Sequence, residues 1–378
     1  FTTAAHSFAT LTQGERVNGF RTISVYLNAA GEAMGARFVH EESSFTLDLL
    51  QIQSAPQALI WVNTKPVSDR GEPHTQEHLL LAKGSRGREL ESAMDMSLAT
   101  SNAFTQQLRT IYQFNTVAGA DVFYKLLDQH LKALLDPDYT DEEIRREVRN
   151  FGITTTADGK TLSLEEKGSV YNEMVSSSRN QGFAANLAIR IMLYGKDHPL
   201  SFVSGGLPSG IRELKPSDIR SFHDANYHLW NMGMIGCFPK EMALDDVLGG
   251  LNQILSSAEP AGSKHSQTGP ALPAGHPAPA GASSVVDYPE KNQQQAGLIS
   301  LAWPAAPPAN LQERLLLELF IENLSSGATS NLYRRLVDSK TREVDLGISG
   351  VSGYVADQGG YDVSIGLAGM PPSNITSA

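Results

Sequence analysis

One stretch of biased composition constrains the fold of this chain more than any other feature. Residues 256–284 are mostly Ala, Pro, Gly and Ser, with almost no large apolar side chain. Such a segment buries too little apolar surface to offset the entropy lost on ordering, so we interpret it as a linker. The sequence therefore predicts a first domain over residues 1–255, a linker over 256–286 and an incomplete second domain over 287–378.

The overall composition excludes several classes of protein. Of 378 residues, 41% are hydrophobic and 19% are charged, which is typical of a globular chain. The net charge of −11 argues against a nucleic-acid partner, and the single cysteine, Cys237, excludes both a disulfide framework and a cysteine-based zinc site. No apolar run approaches the roughly 18 residues of a membrane span. Because residue 1 is Phe1 rather than Met, we expect that an N-terminal segment was either removed or not included in this sequence; removal of a leader would favour a periplasmic, secreted or organellar location over a cytoplasmic one.

Short apolar runs and amphipathic stretches alternate along the first 255 residues. Apolar runs bounded by turn formers predict strands, and apolar residues spaced by three or four predict helices. The capping-box spacing of Thr140 and Glu143 marks the start of one of these helices. The predicted strands are 57–63 and 232–238, with a strand–turn–strand over 102–115, and the predicted helices are 74–82, 120–135, 140–150, 163–174, one opening at 216, and 243–255.

The segment with clear chemical meaning is His74-Thr-Gln-Glu77-His78. On a helix, residues four apart share a face, so both imidazoles point the same way and can bind one divalent ion. Zinc is the usual ion at sites with nitrogen and oxygen ligands. Glu77 lies beside the pair but off the ligand direction, so its carboxylate can act as general base on zinc-bound water. The alternative is a surface helix with two solvated histidines.

A catalytic zinc needs a third protein ligand, and Glu173 is the candidate. It lies between Val170 and Met174, which share a helix face, and a carboxylate beside that apolar stripe is costly unless it is paired or binds a metal. Glu166 lies two predicted helical turns earlier and could orient a ligand. From the sequence alone, a solvated Glu173 remains an open alternative, because most helical glutamates are solvated.

Five segments, in order and at plausible spacing, resemble the pitrilysin or insulinase family of zinc metallopeptidases, and most of all its presequence protease branch. Residues 71–78 resemble the zinc helix, and residues 167–174 resemble the segment with the third zinc ligand. The segments are GARFVH (35–40), GEPHTQEH (71–78), SNAFT (101–105), KGSVYNEM (167–174) and SGATSNLYRRL (326–336).

This resemblance implies an α+β fold: a mixed, largely antiparallel sheet with helices on one face, followed by part of a second similar domain. It implies zinc held by His74, His78 and Glu173, and a peptide substrate bound along the strand containing Asn102, Ala103 and Phe104. It also implies a C-terminal half that closes a chamber over the substrate, on the same polypeptide or a separate chain. The Arg and Tyr with which the family stabilises the reacting carbonyl lie in that half, and the chain shows no counterpart of them.

The expected function is a zinc-dependent endopeptidase acting on unfolded oligopeptides. Two alternatives stay open at this point. One is a non-catalytic pitrilysin-like scaffold or peptide-binding subunit, and the other is a zinc hydrolase that acts on a non-peptide substrate.

Overall fold

A computed structural model describes residues 5–258, 272–287, 296–306, 308–356, 360 and 362–375. The chain divides into two compact units. The first comprises residues 1–65, 71–170 and 213–271, and the second comprises 66–70, 171–212 and 272–378. Residues 171–212 thus group with the later part of the chain, whereas the sequence-based division assigns them to the first domain. Within the described residues, every helix is too short or too polar to cross a membrane.

The first unit is built on a sheet of eight strands in the order β1-β2-β3-β4-β10-β5-β7-β6, and β8 and β9 form a separate two-stranded hairpin. The strands are β1 (Arg16–Val17), β2 (Phe20–Leu27), β3 (Ala33–His40), β4 (Thr46–Gln51), β5 (Gln57–Asn63), β6 (Ala99–Thr105), β7 (Arg109–Thr116), β8 (Asn150–Thr155), β9 (Leu162–Lys167) and β10 (Met232–Phe238).

The pairing of β10 makes this sheet mixed. Strand β10 runs parallel to β4 and antiparallel to β5, and the other neighbouring strands of the sheet pair antiparallel. Residues of β5 alternate between buried and half-buried, as expected of a strand inside a sheet. The predicted fold class, a mixed and largely antiparallel sheet with packed helices, is confirmed.

Helices follow the strands in chain order. Helix α1 packs against β6, β7, α4 and α8, and α3 packs against β7, α2 and α9. They are α1 (Glu72–Leu80), α2 (Gly84–Met96), α3 (Ala120–Leu135), α4 (Asp141–Val148), α5 (Ser169–Ser177), α6 (Gln181–Tyr194), α7 (Pro208–Ile211), α8 (Pro216–Asn226), a 3-10 turn (Leu229–Asn231) and α9 (Leu244–Ala258).

Two of the local predictions need correction. Residues 163–167 are not helical, because β9 pairs antiparallel with β8 and sets Phe151 opposite Glu166; the helix begins only at Ser169. Helix α2 has no counterpart among the predicted elements. The predicted helix over 74–82 is followed at once by α2, whose first residue is Gly84.

The second unit contains a three-stranded antiparallel sheet in the order β11-β13-β12. Its core includes Ile348, Ile365, Leu367 and Met370, and α6 packs against β11, which explains why residues 171–212 belong to this unit. Its later elements are β11 (Gly297–Trp303), α10 (Leu311–Ser325), α11 (Asn331–Leu336), β12 (Gly350–Val355), β13 (Val363–Met370) and a 3-10 turn (Pro372–Asn374).

The same succession of elements occurs once in each unit. In the first, β5, α1 and α2 precede the β6–β7 hairpin, and β7 lies between β5 and β6. In the second, β11, α10 and α11 precede the strands β12 and β13, and β13 lies between β11 and β12. This internal repeat matches the repeated domain that the family resemblance implies.

The predicted linker has structure along part of its length. Residues 256–258 end α9, and residues 259–271 lie outside the described residues. Residues 272–287 run along α6, where the backbone N–H of His276 donates to the Tyr194 carbonyl over 2.9 Å and that of Ala278 donates to the Met192 carbonyl over 2.7 Å. This stretch is therefore held by backbone hydrogen bonds despite its composition.

Candidate metal centre

Helix α1 presents the two predicted histidine ligands side by side. His74 is buried and His78 is half-buried. The two Nε2 atoms lie 3.1 Å apart, and the rings meet edge to face with centroids separated by 4.6 Å. Two nitrogens bound to one tetrahedral zinc at 2.0–2.1 Å would lie roughly 3.3 Å apart. The spacing of the imidazoles therefore fits a shared ion.

Glu173 completes the group of candidate ligands. One ligand atom from each of His74, His78 and Glu173 lies within 4.8 Å of the others, and among the described residues no other such group of His, Cys, Asp or Glu is found. Val170 and Met174 are buried as expected, but Glu173 itself is exposed. Its proximity to the histidines, and not the cost of burying it, is what points to a ligand.

The candidate general base, Glu77, lies on α1 between the histidines and is half-buried. The Thr105 hydroxyl, at the end of β6, donates a hydrogen bond to Oε2 of Glu77 over 2.6 Å. Behind Thr105, the hydroxyls of Thr64 and Thr110 lie 2.8 Å apart in the buried interior. One carboxylate oxygen of Glu77 is thus held by the protein.

A carboxylate that the sequence analysis missed contacts the second histidine. Nδ1 of His78 lies 3.0 Å from Oε1 of Glu147 on α4, and Nζ of Lys83 lies 3.0 Å from Oε2 of the same carboxylate. Burial acts to raise the pKa of Glu147, but hydrogen bonds from His78, Lys83 and Ser169 outweigh burial and lower the pKa to about 2. Glu147 is therefore ionised at neutral pH.

The signal for Glu147 was present in the sequence. Ile144, Glu147 and Val148 form the buried side of α4, so a carboxylate lies within an apolar stripe. Glu147 lies among apolar neighbours as Glu173 lies between Val170 and Met174, but of these two carboxylates only Glu147 is buried. Such a carboxylate requires partners, which here are His78 and Lys83.

Glu166 occupies a different setting from the one expected. It lies on β9 rather than on the helix of Glu173, and its carboxylate accepts a hydrogen bond from Nε of Arg149 over 2.6 Å. The expectation that it shares a helical face with Glu173 is wrong, because residues 162–167 are paired as a strand. A role of Glu166 in orienting a ligand stays a prediction.

The predicted substrate strand is β6, an edge of the eight-stranded sheet. Asn102 is exposed and Ala103 and Phe104 are half-exposed, and all three pair with β7 on one side only. An edge strand of this kind offers backbone N–H and C=O groups to an added extended chain. The position of β6 suits the predicted role, which stays a prediction.

Comparison with known proteins gives a consistent result. No family model matches the chain. The mitochondrial presequence protease of Danio rerio is 26% identical over 381 residues, an alignment that covers 95% of this chain and 35% of that protein. Pitrilysin has a TM-score of 0.58 at 13% identity, covering 93% of this chain and 35% of pitrilysin. These findings support the resemblance that the segments around His74 and Glu173 indicate.

The chain is similar in sequence to the mitochondrial presequence proteases and has the fold of pitrilysin.

Two further facts describe how this chain compares with its relatives. It spans about a third of the length of the curated relatives it matches. A peptidase M16 inactive domain from Pseudomonas fluorescens has a TM-score of 0.63 at 14% identity, covering 89% of this chain and 74% of that one. The fold therefore also occurs in a protein described as inactive, and the chemistry must be argued from the site residues.

Proposed function

We propose that this chain carries the zinc site of a metalloendopeptidase that hydrolyses unfolded oligopeptides. His74, His78 and Glu173 would hold the ion, with one position left for water or substrate. The observation that carries the proposal is the convergence of these three ligand groups within 4.8 Å, with Glu77 on the same helix as the imidazole pair. The donor set of two imidazoles and one carboxylate suits a catalytic zinc.

Bound zinc would supply a Lewis acid that polarises the scissile carbonyl and makes water more acidic. Glu77 takes the proton of the attacking water and returns it to the leaving amine, as a general base and then a general acid. The hydrogen bond from Thr105 fixes one oxygen of Glu77, so the other oxygen is left to carry the proton.

The substrate would bind as an additional strand along β6. Backbone hydrogen bonds recognise any extended chain, so side-chain preference would be weak and an unfolded substrate would be required. A second pitrilysin-type half, on the same polypeptide or on another chain, would close the chamber and stabilise the reacting carbonyl. The length of the relatives supports such a half. By analogy with the mitochondrial relatives, we propose an organellar location.

The proposal is tested by zinc content and peptide cleavage in the parent and in Glu77→Gln. The parent, supplied with the second pitrilysin-type half, should bind one zinc per chain and cleave a long unstructured peptide. Glu77→Gln should bind the same amount of zinc and lose at least about 1,000-fold in kcat/KM, because its amide cannot accept the proton. His74→Ala should lose both zinc and cleavage. A parent that binds no zinc contradicts the proposal, as does a Glu77→Gln variant with parental activity.

A non-catalytic peptide-binding scaffold is the second candidate. The similar fold of the Pseudomonas fluorescens peptidase M16 inactive domain favours it. A parent protein that, together with the second pitrilysin-type half, binds zinc and long peptides but never cleaves them identifies this role. The third possibility, a hydrolase of non-peptide bonds, would hydrolyse a small ester without inhibition by a long peptide. Competition by that peptide therefore separates the peptidase from such a hydrolase.

A further inference from the structure

We propose that Glu147, fixed by Lys83, is a positioning residue that sets the ring orientation and tautomer of His78 for metal binding. This inference rests on the proposed zinc site. It concerns Glu147 and Lys83, which lie outside the segment His74-Thr-Gln-Glu77-His78. Glu147 lies on α4, a helix that supplies none of the candidate ligands.

The proton on the His78 ring follows from the chemistry of its neighbour. The carboxylate oxygens of Glu147 are hydrogen-bond acceptors, and Oε1 lies 3.0 Å from Nδ1 of His78, so we infer that Nδ1 carries the proton and donates it to this contact. A neutral imidazole with its proton on Nδ1 carries its unprotonated ring nitrogen, and hence its lone pair, at Nε2. That Nε2 is the atom facing His74, so Glu147 selects the tautomer that can bind a metal.

Lys83 and Ser169 prevent the Glu147 carboxylate from turning away. Nζ of Lys83 contacts the second oxygen, Oε2, over 3.0 Å, and the hydroxyl of Ser169 also hydrogen-bonds the carboxylate. The side chain of Glu147 is only 8% exposed, so water competes weakly for these contacts. Ser169 is the first residue of α5, the helix that carries Glu173. Glu147 therefore contacts both helices that supply candidate ligands.

Helix α4 is itself held in register against the segment after α1. Thr140 and Glu143 form a capping box at its start, and Oε1 of Glu143 accepts from the backbone N–H of Gly84 over 3.2 Å and from Arg88 over 2.6 Å. Glu143 and Glu147 are four residues apart and lie on one side of the helix. One carboxylate thus anchors the start of α2 while the other anchors His78.

Replacing Glu147 by Gln keeps the size of the side chain but removes its charge. The amide can place its NH₂ against Nδ1, which stabilises the tautomer with the proton on Nε2 and blocks the metal-binding lone pair. Loss of a carboxylate behind a ligand histidine weakens metal binding roughly 10- to 100-fold. Glu143→Gln is the matched control, because it removes a carboxylate from the same helix without touching His78.

The experiment measures zinc affinity by competition with a chelator, together with the melting temperature of each metal-free protein. We expect Glu147→Gln to bind zinc roughly 10- to 100-fold more weakly than the parent, and Glu143→Gln to bind it within twofold despite a lower melting temperature. Zinc affinity of Glu147→Gln within twofold of the parent overturns the positioning role. Absence of zinc binding in the parent instead overturns the proposed function.

A second measurement needs neither a variant of Glu147 nor a metal. The ring ¹⁵N shifts of His78 in metal-free protein labelled at histidine, assigned with His78→Gln, report which nitrogen is protonated. We expect the proton on Nδ1 at pH 8. A proton on Nε2 overturns the inference, even where Glu147→Gln is too unstable to purify.

Discussion

Thr105 and Glu77 join the edge strand β6 to helix α1: the threonine hydroxyl at the end of β6 donates to Oε2 of the carboxylate over 2.6 Å. The strand proposed to hold substrate therefore also orients the proposed general base. Residues 28 positions apart in sequence share one hydrogen bond at the site.

Thr105→Val should lower kcat for peptide cleavage roughly tenfold, because a hydrogen bond to a charged group contributes about 1.5–3 kcal/mol and its loss lets the carboxylate rotate. Valine keeps the β-branched shape, so the zinc content should stay parental. Thr100→Val on the same strand is the control, since Thr100 contacts Asn115 and not Glu77. Equal kcat values for the two variants would show that the Thr105 hydroxyl has no part in catalysis.

Substrate peptides methylated on alternate backbone nitrogens should distinguish backbone pairing with β6 from side-chain recognition. In an extended chain, successive N–H groups point to opposite sides, so only one of the two methylation registers removes donors that face β6. With three methyl groups, that register should raise KM at least tenfold, while the other register stays within about threefold. Steady-state kinetics gives the KM of each methylated peptide, and equal KM values would contradict binding by strand addition.

His130 should make the stability of the protein pH-dependent. Burial lowers its pKa to about 4, against the weaker opposing effect of the Leu126 carbonyl, and its ring stacks on Phe114. In the unfolded chain, His130 takes up a proton as the pH falls below about 6.5, whereas in the folded chain it does so only near pH 4. The free energy of unfolding should therefore fall by roughly 3 kcal/mol as the pH is lowered from 6.5 to 4.

His130→Phe removes this proton and keeps an aromatic ring beside Phe114. Urea unfolding at several pH values should show that the variant lacks the added loss of stability between pH 6.5 and 4. The comparison uses the difference between the two proteins, because other groups titrate equally in both. Parallel pH profiles would mean that His130 is accessible to protons in the folded state.

Gly84→Ala should destabilise the first unit through a direct clash. Gly84 has φ +70°, and a Cβ there would lie 2.1 Å from Oδ1 of Asp138 and 2.8 Å from the backbone nitrogen of Tyr139. Gly14 has φ +84° with no atom within 4 Å of its added Cβ, so Gly14→Ala incurs only the backbone strain of about 1 kcal/mol. Urea unfolding should give Gly84→Ala a loss at least about 2 kcal/mol greater; equal losses would exclude the clash.

Local patterns predicted much of this structure. The bounds of β5, β10 and α3 agree with the sequence-based ones, because short apolar runs and a continuous amphipathic face are local properties. The facing imidazoles of His74 and His78 follow from helical spacing alone. These are the parts of the fold and site in which neighbours in sequence determine the geometry.

Contacts between distant segments account for the failures. Residues 162–167 form a strand because they pair with 150–155, and that pairing overrides their helix-compatible pattern. The contact of Glu147 with His78 spans 69 residues, and no spacing rule connects two helices across that distance. The register of α4 against α1 and α2, and with it the support of the metal site, required the three-dimensional structure.

The place of β10 in the sheet has a consequence for biosynthesis. Strands β4 and β5 are separated by five residues, yet they are not neighbours, because β10 lies between them. During translation, β4 and β5 cannot pair with β10 until residue 238 has left the ribosome. Helix α1, which carries His74 and His78, comes after β5 in the chain. The sheet that supports the candidate metal site is therefore completed late in synthesis. Until then the nascent chain exposes unpaired strand edges and apolar surface that chaperones can bind.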